Sequence, residues 1–248
     1  MKTFIFALRN TKEIIRDMFT LVFGLVFPLV LLILLTAINA GIPEEAQMTL
    51  FDISNLVPGI AVFGLSFISL FTATLVSKDR CTSFILRLFT SPLKASDYII
   101  GYTIPLVPIA LLQSLICYLA SLAFGLKLSA NILLAVAVNL PTAVMFIAIG
   151  LLCGTVFNDK AVGGICGALL TNLSAWLSGT WFDLSLVGGT FEKIAKLLPF
   201  VHAVDAGRFA LSGEYSQIVS ELLWVGVYAL VISIAAIVVF KVKMKQDK

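Results

Sequence analysis

Residues 53–80 read ISNLVPGIAVFGLSFISLFTATLVSKDR. From Ile53 to Ser77 there is no charged side chain, and then Lys78, Asp79 and Arg80 arrive together. Wound as a helix rising 1.5 Å per residue, such a run extends about 37 Å, enough to cross a hydrocarbon core about 30 Å thick. Five more uncharged runs follow the same rule: Met18 to Gly41, Tyr98 to Leu126, Leu128 to Asn158, Ala161 to Phe182 and Leu222 to Phe240. The expected fold is an all-α membrane protein with six transmembrane helices in a single domain over residues 1–248.

Composition agrees with the bilayer as solvent. Hydrophobic residues make up 60% of the chain and charged residues 12%, against about 25% charged in soluble domains. The first run begins too late and continues too long for a cleaved secretory signal, so it is expected to remain in the membrane. Six spans with short loops leave no room for a soluble catalytic domain, so any energy-consuming step is expected from another chain.

Charge orients the bundle. Thirteen of the seventeen Lys and Arg fall in the amino-terminal segment, the loop from 78 to 97, the loop at Lys160 and the carboxyl tail. The loops between hold only Lys127, Lys193, Lys196 and Arg208, and one of them is purely acidic, with Glu44, Glu45 and Asp52. By the positive-inside rule both termini are expected in the cytoplasm. The net charge of +3 then reflects topology and contact with anionic membrane lipid, with no nucleic-acid partner implied.

Three segments outside the spans are not simply polar. Within residues 1–17, Phe4, Ile5, Leu8 and Ile15 recur at helical spacing around Arg9, Lys12, Glu13 and Arg16, the pattern of an amphipathic interfacial helix or of a charged extension of the first span. In residues 78–97, Phe84, Ile85, Leu88 and Phe89 alternate with Arg80 and Arg87 before Ser91-Pro92 stops the helix. Such a helix either rests on lipid or fits a partner's groove. Residues 183–221 are too charged to span and too apolar for a solvated loop. They are expected to form one or two short helices broken at Pro199, either re-entrant or lying on the outer leaflet.

The absences narrow the chemistry. There is one histidine, His202, with no HExxH and no phosphate-cradling GxxxxGK[ST]. The four cysteines form no CxxC and read as packing residues, so neither a metal site nor a disulfide framework is expected. No ionisable residue sits at mid-span, which disfavours an ion-coupled mechanism. Polar residues inside the runs, such as Asn39, Gln113, Asn139 and Asn172, either bridge helices or face a substrate. Gly150 and Gly154, and Gly163 and Gly167, have the GxxxG spacing that lets helices approach closely.

In sequence order these features resemble the type-2 permease subunits of ABC exporters. The resemblance covers essentially the whole chain. It rests on the amino-terminal helix ending in Arg16-Asp17, on Pro58-Gly59 opening the second span, and on Lys78-Asp79-Arg80-Cys81-Thr82 leading to Leu86-Arg87-Leu88 and Thr90-Ser91-Pro92-Leu93. It rests further on Ser178-Gly179 with Phe182, then Pro199, Ala203-Val204-Asp205-Ala206, Arg208 and Gly213. Departures are Cys81, where the family often has glycine, and Asp183, where it often has proline.

The resemblance implies a coupling helix between spans 2 and 3, with Lys78, Asp79, Arg80, Phe84, Arg87, Leu88, Phe89 and Pro92 as contacts to a separate ATP-binding subunit. That subunit would hold ATP and Mg; this chain would bind no cofactor or metal and catalyse nothing. Short re-entrant helices between spans 5 and 6 would form an outer gate containing Phe182, Pro199, Asp205 and Arg208. A second permease copy or paralogue would complete a dimer whose interface carries the substrate, with Asn39, Asn55 and Phe63 singled out for the pathway. An ion-gradient-driven secondary transporter or channel is the alternative.

Overall fold

The computed structural model describes residues 2–18, 22–43, 49–82 and 95–246, which are helical with no strand among them. The chain opens with α1 (Lys2–Arg16), whose last turn carries Arg16, a cation placed where the helix dipole favours one. A π turn (Val22–Val26) leads into α2 (Phe27–Ala40), with Pro28 in the first turn, where its missing N–H costs nothing. Next come α3 (Ile53–Cys81), α4 (Ala95–Ser121) and α5 (Asn131–Val156). A helical stretch follows in three parts: α6 (Asp159–Val162), a π segment (Gly163–Leu170) and α7 (Thr171–Leu177). The chain ends with the short helices α8 (Leu184–Val187), α9 (Gly189–Leu197) and α10 (Pro199–Ser212), and with α11 (Tyr215–Gln246).

Five stretches among the described residues are long and apolar enough to cross a membrane: 22–40, 53–81, 96–124, 131–156 and 215–243. The run expected from Ala161 to Phe182 is helical only to Leu177. Its π segment and its Thr171, Asn172 and Ser174 set it apart from those five. A sixth crossing would rest on this stretch. The last helix begins at Tyr215, seven residues before the apolar run at Leu222, because an amphipathic first turn extends a helix that hydropathy alone would start later. Between α9 and α10 the break falls at Leu198, and Pro199 begins the new helix at a position that needs no N–H.

Burial separates the centre from the periphery. In α3, 83% of the membrane-length window is buried, against 17% for the windows in 22–40 and in α11. A helix apolar all round belongs inside a bundle. Small residues permit this: α5 lies on α3 so closely that a Cβ at Gly150 would meet the Ser69 carbonyl, and one at Gly154 would lie 2.5 Å from the Ala73 carbonyl. Gly163 has open space around it, and Gly167 meets only the movable end of Leu70. The two GxxxG motifs therefore differ, and only the first presses both of its glycines against backbone.

Buried hydroxyls in α3 are satisfied within the helix. Ser66, Ser69 and Thr72 donate to the carbonyls of Phe63, Ser66 and Ile68 at 2.6, 2.7 and 2.6 Å. The helices run continuously through Pro58, Pro105, Pro108 and Pro141. At Gly213, φ is +83°, a left-handed turn that suits glycine and lets α10 reverse into α11.

Candidate functional site: two polar clusters at opposite ends of α3

The first cluster is built on Asp79, in the last turn of α3 and only 2% exposed. Arg9 of α1 grips it with both terminal nitrogens, Nη1 to Oδ2 at 2.6 Å and Nη2 to Oδ1 at 2.7 Å. The Tyr102 hydroxyl of α4 donates to Oδ2 at 2.8 Å. This planar fork is the geometry that arginine, unlike lysine, presents to a carboxylate. Arg9 also pairs with Glu13 at 2.5 Å and donates to Asn10 Oδ1 at 2.9 Å.

The amphipathic α1 fits this place because its two faces differ in chemistry. Phe6, Ala7, Asn10 and Ile14 are buried, and the Phe6 ring meets Tyr98 and Tyr102 edge-on with centroids 5.6 and 5.0 Å apart. Asn10 Nδ2 donates to the Gly101 carbonyl at 3.0 Å, and Thr3 Oγ1 to Asp97 Oδ1 at 3.1 Å. Phe4, Ile5, Leu8 and Ile15 remain exposed, leaving a second apolar face to the surroundings. Burial opposes the Arg9 cation, yet the bond to Asp79 and its charge prevail and hold the guanidinium above its ordinary pKa. Burial raises the Glu13 carboxyl, with Arg9 opposing.

The neighbours of Asp79 fasten the other side. Arg80 donates to the carbonyls of Gly154 and Phe157 at 3.0 and 3.3 Å, satisfying groups that the end of α5 leaves open. Ser77 donates to Asp159 at 3.1 Å, and Lys78, half exposed, lies 3.8 Å from Asp17. Phe84, Arg87, Leu88, Phe89 and Pro92 lie outside the described residues. Both ends of the segment that contains them, the last turn of α3 and the first turns of α4, are thus tied to α1.

The second cluster centres on Arg208 of α10. Its Nε donates to the Asn55 carbonyl at 3.2 Å, Nη1 to Asp205 Oδ1 at 3.0 Å and Nη2 to the Gly179 carbonyl at 3.0 Å. One guanidinium therefore joins the first turn of α3, the turn after α7 and its own helix. Burial pushes the Asp205 carboxyl above its usual range, with Arg208 opposing, although a third of the side chain stays exposed. Asn55 and Arg208 also line a cavity of about 510 Å³ with Lys127 and Asn131. Asn55 and Asp79 are 24 residues apart on α3, a separation of about 36 Å. The two clusters stand at opposite ends of a membrane-length helix.

Other expected residues occupy packing positions. Phe182 lies 6.0 Å from Phe191 between ring centroids, and Pro199 is buried. Phe63 is 8% exposed and packs edge-on against Phe67 and Trp181, so in this chain it is a core residue. Asn39 Nδ2 donates to the Phe51 carbonyl at 3.4 Å, while its buried Oδ1 has no partner among the described residues. Asn39 and Asn55 both donate to the turn Thr49–Phe51, Asn55 Nδ2 to the Thr49 carbonyl at 2.8 Å. Sequence reasoning missed Arg9 and Tyr102 as site members. The cation at Arg9 looked like one of several interfacial charges, and a tyrosine in an uncharged run carries no signal of a distant carboxylate.

Replacing Arg208 with lysine keeps the charge but loses the fork. We expect a stability loss of about 1–3 kcal/mol, from two buried carbonyls losing a charged donor, read by thermal unfolding in detergent.

Membrane-length helices around a buried α3, with an amphipathic helix clamped to one end, define a polytopic membrane protein. The ABC-2 type transporter family model matches residues 1–211, which include both clusters. The chain belongs to the ABC-2 type transporter family and is an ABC transporter permease. No curated protein matches it.

Proposed function

We propose that the chain is the membrane-spanning subunit of an ATP-driven exporter. It moves an amphipathic, drug-like or lipid-linked substrate outward between two permease copies or paralogues. ATP and Mg are held by a separate ATP-binding subunit, and this chain performs no hydrolysis. Both termini face the cytoplasm of a bacterial cell, and residues 78–97 form the coupling helix that the ATP-binding subunit pushes.

The observation that supports this reading is the double fastening of that segment's ends. Asp79 and Arg80 tie its entrance to α1, α4 and α5, and Asn10 and Thr3 tie its exit to α1. A force applied to residues between them passes into four helices together instead of being absorbed by a hinge. Phe84, Leu88 and Phe89 would supply the apolar anchor, and Arg80, Arg87 and Lys78 the charged rim.

Phe84→Asp and Leu88→Asp test it by co-purification with the ATP-binding subunit and by ATPase assay. The expected result is loss of the complex, tenfold or more in affinity, with helix content unchanged. A complex that survives both substitutions refutes the placement of the coupling helix. Transport by the isolated chain on an ion gradient would favour the secondary-transporter alternative.

A further inference from the structure

His202 takes no part in either cluster, yet at the Arg208 end it is held by two polar contacts and a ring contact. Its Nδ1 lies 2.5 Å from Glu221 Oε2 on α11 and its Nε2 lies 2.8 Å from the Lys196 carbonyl at the end of α9. The ring stacks on Trp224 at 5.1 Å with an interplanar angle of 4°. The His202 and Glu221 side chains are 14% and 19% exposed, so the bond between them is partly shielded from water, while the bond to the Lys196 carbonyl is exposed.

A neutral imidazole has one N–H and one lone pair. Both ring nitrogens here face oxygens, a carboxylate and a carbonyl, and a carbonyl can only accept. Matching both requires one proton more than a neutral ring and an ionised carboxylate hold between them. That proton sits on the imidazolium or on the Glu221 carboxyl, and the joint is satisfied either way. Without it, a lone pair is turned toward an oxygen and one partly buried acceptor loses its donor.

We propose that the His202–Glu221 pair is a pH-sensitive lock fastening α9 and α10 to α11. The lock is complete while the shared proton is bound and opens when rising pH removes it, leaving one acceptor without its donor. Stability of the joint is thus present on the acid side and lost on the alkaline side.

Charged groups surround the pair: Asp205 interacts with both His202 and Glu221, and α9 carries Lys193 as well as Lys196. Asp205, one turn along α10, is occupied by Arg208, and the Lys196 ammonium is paired with Glu192 at 2.6 Å. Asp183 lies after α7, near Arg208 and Lys196. Among the other helices packed on α10, α5 and α7 carry no charged residue, and the charges of α3 are at its Asp79 end. Tyr228 of α11 donates to the Leu197 carbonyl at 3.0 Å, so one tie between α9 and α11 remains when the lock opens. The inference concerns the joint itself and stands whichever face of the membrane it meets.

The test uses the full chain in lipid nanodiscs with Trp176→Phe and Trp181→Phe, leaving Trp224 as the sole indole. Its fluorescence, quenched by a stacked imidazolium, is titrated from pH 5 to 9, and amide exchange in α9 is measured at pH 6 and 8.5 with correction for intrinsic rates. The expected results are one fluorescence transition, absent in His202→Gln and displaced toward lower pH in Glu221→Gln, where the stabilising carboxylate is gone. Exchange in α9 should be at least fivefold slower at pH 6 than at pH 8.5 in the parent chain only. A transition that persists in His202→Gln, or α9 protection that does not change with pH, overturns the proposal. Should His202→Gln fail to fold, an unmoved transition in Glu221→Gln overturns it equally.

Discussion

An Arg9→Ala substitution is expected to cost about 2–4 kcal/mol, because it strands a carboxylate that is 2% exposed with a single hydroxyl donor. The upper range for a broken buried pair is not reached, since Arg9 keeps a third of its side-chain exposure and water can enter where it leaves. Removing the carboxylate as well should return much of the loss. Arg9→Ala combined with Asp79→Asn is therefore expected to be more stable than Arg9→Ala alone, with a coupling of at least about 1 kcal/mol in a double-mutant cycle. Denaturant unfolding of the four proteins in one detergent reads it. Additive losses would mean that Arg9 and Asp79 act separately, and the clamp between α1 and the end of α3 would have to be abandoned.

The second large effect concerns how α5 meets α3. Gly150→Leu places a branched side chain where even a Cβ would collide with the Ser69 backbone and with Thr72. Backbone cannot swing aside as a side-chain tip can, so the helices must separate along their length. We expect a loss of about 3 kcal/mol or more, seen as aggregation or a lowered thermal midpoint in fluorescence-detected size exclusion. Gly163→Ala, at the same spacing in the second motif, should change stability little, since nothing lies within 4 Å of its added methyl. Equal tolerance at both positions would contradict the packing of α5 on α3.

The contrast shows what the sequence could and could not convey. Uncharged runs locate the membrane-length helices because hydropathy is a property of each segment alone. The same criterion reads 161–182 as a full span, yet that stretch is helical only to Leu177 and holds a π segment. Backbone winding depends on neighbours that periodicity does not see. GxxxG spacing marks Gly150 and Gly163 alike, and only the three-dimensional path of α3 separates contact from open space. The break at Pro199 was legible, and the structure adds that proline begins the next helix there, where its missing N–H costs nothing.

The polar clusters were legible in part. Asp79, Asp205 and Arg208 were singled out by the family resemblance, and Asp205 with Arg208, three apart on one helix, has the spacing of the pair observed. Arg9 lies 70 residues from Asp79 and Tyr102 lies 23 residues beyond it. Nothing local in one chain links positions so far apart. His202 looked unremarkable for the same reason, because its meaning comes from Glu221, Lys196 and Trp224 on two other helices.

Cys81 offers the most direct test of the proposed coupling. It is the one exposed cysteine of the four and closes the last turn of α3, two residues after Asp79. A photo-activated maleimide on Cys81, in membranes containing the chain and its ATP-binding subunit, should cross-link to that subunit with a yield that changes when ATP is added. The same probe on Ser129→Cys in a Cys81→Ser chain, at the far end of the bundle, should not. A complex that hydrolyses ATP yet cross-links from position 129 and never from Cys81 would contradict the account.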